Sequence, residues 1–301
     1  MANIIAVIWD FDKTLVDGYM QDPIFREYGV DGTEFWKEVG ALPEKYKREQ
    51  NVNVNRDTIY LNHFINCAKP GGIFEGLNNA KLRGYGSQLD FYKGIPEIFD
   101  ATKRMIEEDP RYREYNIRVE HYIVSTGFKE VIEGTPVRKY VERVWGCELI
   151  EGNMPDGTSV ISEIGYTIDN TTKTRAIFEI NKGPGIDVNA KMPEELRRIR
   201  FENMIYIADG PSDIPAFSLV RKEGGSTLAI YPSRDEHGFA QVERMRRDGR
   251  IDMYAEADYS EGTTAYMWIC SAIKRRAERI YQSERHKITG VLSEVPKHLN
   301  E

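Results

Sequence analysis

Two aspartates, Asp10 and Asp12, follow directly on an apolar run near the start of the chain. The run, residues 4–9, is rich in β-branched side chains, which predicts a strand buried on both faces at the centre of a parallel sheet. Ligands bind beyond the carboxyl ends of such strands, and side-chain alternation places both aspartates on one side, opposite Phe11. Carboxylates this close repel unless a cation or a proton relieves them, so a metal site is predicted; an ordinary strand-ending turn is the alternative.

Two later apolar runs also end on polar residues. Residues 117–124 predict a second buried strand, and a Ser-Thr-Gly sequence follows it at 125–127. Residues 204–208 predict a third, followed by Asp-Gly-Pro-Ser-Asp at 209–213, and Lys173 opens the predicted helix before it. Chance rarely supplies such clusters in order, each directly after a buried-type strand, so together they indicate a site.

Each of these residues also has a structural interpretation. Ser125 follows a strand, where serine is most often a turn residue or a helix cap. Lys173 lies at a helix start, where the positive end of the dipole disfavours it, and this favours a functional role. Lys182 is the competing lysine, but it adjoins a helix-ending glycine. His121, in the middle of a predicted strand, is interpreted as a core histidine rather than a metal ligand.

Composition limits the classes of function. The chain has 301 residues, 41% hydrophobic and 30% charged, which predicts two globular units or one domain with a large insertion. The net charge of −7 argues against nucleic-acid binding, because phosphate backbones select concentrated Lys and Arg. Cys67, Cys147 and Cys270 form no Cys-x-x-Cys pair, so we expect neither disulfides nor zinc but a reducing cytoplasm. Neither a signal peptide nor a membrane span is expected.

Strands alternate with helices along most of the chain, which predicts an α/β fold: a Rossmann-like parallel sheet with helices on both faces. Residues 16–89 are instead rich in aromatic and charged residues at helical spacing, and they predict a small all-helical cap domain inserted after the first strand. The predicted division is residues 1–15 and 90–285 as the core, 16–89 as the cap, and 286–301 as a C-terminal tail of weak periodicity.

Local signals set the expected element boundaries. Pro43 is expected to break the helical pattern of the cap, and Thr171 and Thr172 are candidate N-caps of the helix that carries Lys173. The aromatic stripes of the cap are interpreted as its core rather than as a cage around a substrate. The other predicted elements are helices at 96–109, 236–247 and 264–281 and strands at 142–151, 160–166 and 228–230.

In this order the motifs resemble those of the haloacid dehalogenase-like (HAD) hydrolase superfamily. Its four motifs match Asp10-Phe11-Asp12-Lys13-Thr14, Ser125, Lys173 and Asp209-Gly210-Pro211-Ser212-Asp213, over residues 4–231. The helical insert is similar to the cap of the phosphoserine-phosphatase-like branch. The hairpin predicted from the strands at 142–151 and 160–166, with its turn at 155–158, is also similar to that branch. One departure is Lys13, where many relatives have glycine.

The resemblance implies Mg²⁺-dependent hydrolysis of a phosphomonoester through an aspartyl-phosphate on Asp10. Asp12 would protonate the leaving group and then take a proton from water. The carboxylates of Asp10 and Asp209 and the backbone carbonyl of Asp12 would bind Mg²⁺, and Asp213 would hold the metal or its waters from outside that set. A metal suits this chemistry, because a phosphate dianion repels a carboxylate nucleophile.

Phosphate binding is implied for a second group of residues. Thr14, Ser125 and Lys173 would donate to phosphoryl oxygens, where charge collects in the transition state. Gly127 and Gly210 would permit backbone conformations that a side chain would hinder. The full set expected around the phosphate is Thr14, Ser125, Thr126, Gly127 and Lys173.

Within the superfamily, the acid Asp12 favours phosphoryl transfer over dehalogenation and ion pumping. A phosphatase is the first hypothesis. The alternatives are a phosphomutase or phosphotransferase, and a binding protein that keeps the fold without turnover. The predicted partner is a small, anionic phosphorylated metabolite, with no nucleic acid and no membrane, and the cap would close over it as a lid. Arg56 and Arg83 are candidates to hold the leaving group, and solvated helix positions are their alternative.

Overall fold

A seven-stranded sheet lies at the centre of the computed structural model, which describes residues 3–154 and 156–293. The strands are β1 (Ile4–Trp9), β2 (Arg118–Phe128), β3 (Arg143–Asn153), β4 (Ser159–Tyr166), β5 (Met204–Ala208), β6 (Ser226–Tyr231) and β7 (Met253–Glu256). They lie in the order β4-β3-β2-β1-β5-β6-β7, and all neighbours are parallel except the hairpin of β3 and β4. The first strand is therefore central, as its apolar sequence predicts.

Helices occupy the connections between the strands. The α-helices are α1 (Asp22–Tyr28), α2 (Gly32–Gln50), α3 (Ile59–Ala68), α4 (Asn79–Tyr85), α5 (Glu97–Glu107), α6 (Pro110–Glu114), α7 (Lys129–Glu133), α8 (Lys173–Lys182), α9 (Ile214–Lys222), α10 (Glu236–Arg247) and α11 (Thr264–Ser293). Short 3₁₀ helices occur at Gly86–Gln88, Pro136–Tyr140, Glu194–Leu196, Phe201–Asn203 and Pro211–Asp213. Every residue of β1 and β5 is buried, which requires cover on both faces of the sheet. The predicted Rossmann-like α/β fold is confirmed.

The insert after β1 is helical, as predicted, and contains α1 to α4. Its interior is a cluster of four rings, Phe25, Phe35, Phe64 and Phe74, whose centroids are 4.8 to 6.1 Å apart. Phe64 also contacts Phe128 at the end of β2, with ring centroids 5.1 Å apart. The cap therefore has an aromatic core of its own that continues onto the sheet. The limits of the two domains stay a prediction.

Pro43 does not end a helix, contrary to the prediction, but lies inside α2. This helix buries Phe35, Val39 and Leu42 along one face. That packing outweighs the backbone hydrogen bond that proline cannot donate. The helix ends instead at Asn51, whose left-handed backbone (φ 55°) is a common C-terminal cap conformation.

The second strand also differs from its prediction, because it continues through Ser125 to Phe128 instead of ending at Val124. Ser125 is 1% exposed, so its polarity does not mark a solvent turn. The register against β3 shifts between Val124 and Phe128, where Phe128 pairs with Cys147. Such a bulge bends a strand without ending it, and bulges are frequent next to functional sites.

The C-terminal helix is longer than predicted, because α11 runs to Ser293 rather than ending at residue 281. Residues 282–287 are mostly good helix formers without an apolar face, so propensity extends the helix where no periodicity marks it. The rest of the predicted tail, 294–301, and Pro155 of the predicted hairpin turn lie outside the described residues. The short elements α6, α9 and β7 were not predicted. None of the helices in the described ranges has the length and apolar character that a bilayer span requires.

His121 is a buried core residue, as predicted, and both ring nitrogens have partners. The indole N–H of Trp9 donates to Nδ1 at 3.1 Å, and Nε2 lies 3.0 Å from Oγ1 of Thr102, whose hydroxyl is also 2.7 Å from the carbonyl of Ile98. A proton on Nδ1 would face the indole N–H. Burial, followed by the charge of Lys103, lowers the pKa of His121 to about 3.

We expect His121 to make the protein less stable as pH falls. Between its usual pKa of 6.5 and the folded value of about 3, the unfolded chain binds a proton that the folded chain excludes, so the free energy of unfolding decreases toward low pH. The expected contribution is up to about 1.4 kcal/mol per pH unit. Urea unfolding of His121→Leu from pH 7 to 4 should show a shallower decline, and a lower stability at pH 7 by about 2 kcal/mol, because Trp9 loses its acceptor. Exposed His237→Leu is the control, and an unchanged slope in His121→Leu would contradict the assignment.

Candidate active site

The carboxyl edge of the sheet brings four ionisable side chains into one cluster. Asp10 follows β1, Asp209 and Asp213 follow the neighbouring β5, and Lys173 begins α8. Carboxylate oxygens of the three aspartates lie within 4.8 Å of one another. The ammonium of Lys173 donates to Oδ1 of Asp10 at 2.8 Å and to Oδ1 of Asp213 at 2.7 Å. Four of the residues singled out in the sequence therefore meet in space.

This cluster is largely removed from water, since Lys173, Asp10 and Asp213 are 1%, 6% and 0% exposed. Burial raises the pKa of Asp10 to about 6; Lys173 opposes the shift and Asp213 adds to it. Burial also raises the pKa of Asp209 to about 7, reinforced by the other two carboxylates. Burial alone would lower the pKa of Lys173, but its two carboxylate partners raise it above its usual value. Three carboxylates against one ammonium leave an excess of negative charge.

Such a cluster fits a divalent metal ion. Burial is the main reason that the carboxyl pKa values of Asp10 and Asp209 are raised, and a bound cation would stabilise their ionised forms. Carboxylate oxygens are the ligands that Mg²⁺ prefers, so Asp10, Asp209 and Asp213 could hold it. Asp213, predicted to act from outside the ligand set, lies inside this cluster. The backbone carbonyl of Asp12 stays a predicted ligand.

Asp12 lies beside the cluster and is tied to the cap. Its Oδ1 accepts the backbone N–H of Met20 at 2.8 Å. Burial, with a further contribution from the charge of Asp10, raises the pKa of Asp12 well above its usual value. A raised pKa favours the protonated carboxyl, which is the form that can donate a proton to a leaving group.

Gly127 is closely approached by the end of the Met20 side chain, and its backbone lies outside the left-handed region. A Cβ at this position would collide with the side chain of Met20 at 2.3 Å and lie 3.4 Å from Oδ2 of Asp12. Gly210 has an extended backbone (φ −160°) that any residue can adopt. The conformational role predicted for these two glycines is therefore wrong.

Two hydroxyl groups near the site are buried, that of Thr14 in the segment after β1 and that of Ser125 in the last part of β2. The side-chain hydroxyl of Thr14 has no hydrogen-bond partner among the described residues. A buried hydroxyl without a partner is costly, so a bound ligand that accepts its proton would satisfy it. Oγ of Ser125 accepts the N–H of Gly127 at 3.0 Å, which leaves the hydroxyl proton for another acceptor. The carbonyl of Thr126 accepts the hydroxyl of Tyr60 from the cap at 2.7 Å.

Tyr206 is a site residue that the sequence analysis missed. It is fully buried in β5, and its hydroxyl donates to Oδ1 of Asp213 at 2.5 Å. Oδ1 therefore accepts from both Lys173 and Tyr206, while Oγ of Ser212 donates to Oδ2 at 3.0 Å. The sequence feature that could have identified it is the single hydroxyl in the otherwise apolar strand Met-Ile-Tyr-Ile-Ala.

Thr172, one of the two predicted candidates, is the N-cap residue of α8, but its side chain makes no capping hydrogen bond, and Asp169 holds the turn before the helix instead. Oδ1 of Asp169 accepts the backbone N–H groups of Thr171 at 2.9 Å and Thr172 at 2.7 Å. A carboxylate suits the positive end of a helix, and it fixes the turn from which Lys173 projects. The competing Lys182 donates instead to backbone carbonyls of the loop after α8. Among the described hydrogen bonds, it makes none to Asp10 or Asp213.

Lys13, the departure from the motif, has a left-handed backbone with φ 55°. This conformation costs a residue with a side chain about 1 kcal/mol, a cost that glycine would avoid. Its ammonium lies 4.4 Å from the centroid of the Tyr19 ring. Burial alone would lower the pKa of Lys13, but its hydrogen bond with Tyr19 and the charge of Asp209 raise it.

A cavity of about 600 Å³ lies between the cap and the carboxyl edge of the sheet. Asp12, Thr126, Gly127 and Ser212 line it from the sheet side. Every one of these belongs to a predicted motif. The cavity therefore reaches Asp12 and Ser212, which are close in sequence to the cluster residues Asp10, Asp209 and Asp213.

The two predicted arginines lie in different places. Arg56 borders the cavity, but its side chain is 73% exposed and pairs with Glu44 at 3.2 Å. Arg83 pairs with Glu130 at 2.8 Å and is not among the residues that line the cavity. The sequence spacing could not distinguish these positions, because both lie on helical or turn segments of the cap.

The chain was compared with known proteins. No family model matches it. An uncharacterized protein of Borreliella burgdorferi is 37% identical over 284 residues, which cover 90% of this chain and 97% of that protein.

Solved structures share the architecture. A HAD family hydrolase from Salmonella enterica subsp. enterica serovar Typhi superposes with a TM-score of 0.52 at 14% identity, over 84% of this chain and 67% of that one. A phosphoserine phosphatase in its apo form gives a TM-score of 0.48 at 17% identity, over 83% and 92%. At this identity the Salmonella protein demonstrates a shared fold. The chain therefore belongs to one family with the Borreliella burgdorferi protein, and its fold is that of the HAD-like hydrolases, as its motifs predict.

Proposed function

We propose that this protein is a Mg²⁺-dependent phosphatase that hydrolyses a small phosphomonoester through an aspartyl-phosphate on Asp10. The observation that supports this most is the buried ammonium of Lys173 held between Asp10 and Asp213, with Asp209 adjacent. A core packed for stability alone would not need three carboxylates around one lysine. The cavity beside Asp12 and Ser212 is where we propose that the substrate enters.

The metal would be held by Asp10, Asp209 and Asp213, with the backbone carbonyl of Asp12 as a further proposed ligand. When bound, Mg²⁺ supplies positive charge that offsets the repulsion between a carboxylate nucleophile and a phosphate dianion. The chain itself supplies a second positive charge through Lys173, which holds one oxygen of Asp10 in place.

In the first step a carboxylate oxygen of Asp10 forms a bond to phosphorus as the bond from phosphorus to the leaving oxygen breaks. Asp12 donates a proton to that oxygen, and its raised pKa supports this role. In the second step Asp12, now ionised, takes a proton from water, which attacks phosphorus and releases Asp10 and inorganic phosphate.

The phosphoryl oxygens need donors other than the metal. The unpartnered hydroxyl of Thr14 and the hydroxyl of Ser125 are the proposed neutral donors, with Lys173 as the charged one. Thr126 and Gly127 line the cavity beside Asp12 and complete the proposed phosphate site. A small phosphorylated metabolite would fit under the cap, which we propose acts as a lid.

A reducing compartment agrees with the cysteines. Cys67, Cys147 and Cys270 are all free thiols. This supports the proposal that the protein works in the cytoplasm.

Asp10→Asn tests the nucleophile. Phosphate release from a panel of phosphomonoesters with Mg²⁺ should fall to background, because an amide is a poor nucleophile. Thermal stability at pH 7.5 should be unchanged or higher: the folded pKa of about 6 lies above the usual 3.8, so the ionised carboxylate lowers stability above pH 3.8, and the amide removes that loss. Retention of more than a few per cent of turnover would refute the mechanism. Isomerisation of a substrate without phosphate release would indicate a phosphomutase.

Asp12→Asn separates acid–base catalysis from metal binding. The amide oxygen can still accept the N–H of Met20, so the local structure should persist. We expect turnover to fall by roughly 10²–10⁴-fold while the Mg²⁺ affinity measured by calorimetry stays within a few fold, since only the backbone carbonyl is a proposed ligand. Loss of Mg²⁺ binding would show that the ligand assignment is wrong.

Tyr206→Phe tests whether the missed tyrosine positions Asp213. Without the hydroxyl, Oδ1 of Asp213 keeps one donor, Lys173, and the carboxylate is less well oriented. We expect the Kd for Mg²⁺ to rise about tenfold with the fold retained. Tyr254→Phe, on the edge strand β7, is the matched control. An unchanged Kd would assign Tyr206 to packing alone.

A further inference from the structure

Three aromatic side chains of the cap contribute to the cavity wall. Tyr19, Trp36 and Tyr60 all line the cavity above Asp12. The rings are in mutual contact: centroids are 6.3 Å apart for Tyr19 and Trp36, and 5.8 Å for Trp36 and Tyr60. Trp36 also packs on Phe35 of the cap core, with centroids 5.6 Å apart. The predicted interpretation of these stripes as core therefore holds for the phenylalanines but is incomplete for these three rings.

These rings are held in place. The hydroxyl of Tyr60 donates to the carbonyl of Thr126, which ties it to the sheet. The ammonium of Lys13 lies over Tyr19, and this contact comes from a residue with a strained backbone. A rigid aromatic surface loses little conformational entropy when a ligand packs on it.

The cavity offers little to a second negative charge on a ligand. In the described part of the chain, Arg56 is the cationic residue that lines it, and that side chain is 73% exposed and paired with Glu44. The lining residues with acidic carboxyl groups are Asp12 and Asp57. The carboxylate of Asp57 accepts the N–H of Asn170 at 3.4 Å. Lys13 contacts the Tyr19 ring but is not among the lining residues. An anionic leaving group would thus face two acidic side chains and one arginine that is already paired with Glu44.

One buried amide adds a polar group to this wall. Gln21 lines the cavity and is 3% exposed, and its side-chain oxygen has no hydrogen-bond partner among the described residues. A buried amide oxygen without a partner is costly unless a ligand or water satisfies it. The wall therefore combines flat apolar surface with a neutral polar group.

We infer that the substrate's leaving group is an uncharged alcohol that carries a planar unsaturated ring, seated against Trp36 and Tyr19. This inference rests on the proposed phosphatase activity for its catalytic readout, and it replaces the anionic metabolite expected from Arg56 and Arg83. Ring packing on an aromatic side chain tolerates many ring types, so the class is defined by flatness and neutrality.

The test compares three synthetic esters with primary alkoxide leaving groups: benzyl phosphate, cyclohexylmethyl phosphate and 4-carboxybenzyl phosphate. The first two have similar size and differ in flatness, while the third adds one negative charge to the same ring. With the full chain and Mg²⁺, we expect kcat/KM for benzyl phosphate to exceed each of the others by about tenfold. Equal values for benzyl and cyclohexylmethyl phosphate, or for benzyl and 4-carboxybenzyl phosphate, would overturn the inference.

Trp36→Leu locates the ring. It should lower the benzyl to cyclohexylmethyl ratio of kcat/KM to near one, mainly through KM for benzyl phosphate. Because the ratio is measured within one protein sample, partial unfolding of the variant does not affect it. Phe239→Leu removes a 43% exposed ring on α10 and should leave the ratio unchanged. A ratio that survives in Trp36→Leu would overturn the placement.

A binding experiment separates this inference from the proposed function. 2-Phenylethylphosphonate and 2-cyclohexylethylphosphonate carry a methylene in place of the bridging ester oxygen and cannot be hydrolysed, and their Kd values with Mg²⁺ can be measured by calorimetry. If no ester is turned over but 2-phenylethylphosphonate binds about tenfold more tightly, the phosphatase proposal fails and the ring site stands. If the two phosphonates bind equally, the ring site fails whatever the activity.

Discussion

The buried ammonium of Lys173 is the interaction on which the candidate site depends. Removing a lysine from water costs several kcal/mol, and this is offset only when carboxylates lie at hydrogen-bond distance. Asp10 and Asp213 provide them from the ends of two adjacent strands, and Asp169 fixes the helix turn that presents the lysine. The pairing of β1 with β5 and the start of α8 are therefore both required for one ammonium group to be buried.

The same cluster carries more negative charge than its lysine neutralises. Burial, with a smaller contribution from the neighbouring carboxylates, raises the carboxyl pKa values of Asp10 and Asp209, which means that their ionised forms lower the stability of the fold near neutral pH. The strained backbone of Lys13 adds a smaller cost nearby. The fully buried apolar strands β1 and β5 compensate, because they anchor these residues from the centre of the sheet. These two unfavourable features, buried carboxylates and a strained backbone, both lie at the candidate site.

The parts of the fold that could be predicted are those encoded by long local patterns. An unbroken apolar run such as residues 4–9 has few interpretations besides a central strand, and the polar residues that follow then lie at its carboxyl end. Features set by tertiary contacts could not be predicted. Pro43 is tolerated because α2 buries one face against the cap core, and β2 continues past Ser125 because it pairs with β3. Tyr206 is indistinguishable in sequence from a core tyrosine until Asp213 is placed beside it.

The aromatic cap shows why periodicity cannot separate a core from a binding wall. Phe35 and Trp36 are adjacent in sequence, yet the former is 2% exposed within the cap core and the latter lines the cavity. The partners of Lys173 in these hydrogen bonds, Asp10 and Asp213, both lie outside the cap. Substitutions along the wall can therefore alter which leaving group fits without changing the charge balance that positions Asp10. The fold thus allows the proposed phosphoryl-transfer chemistry and the choice of substrate to change separately.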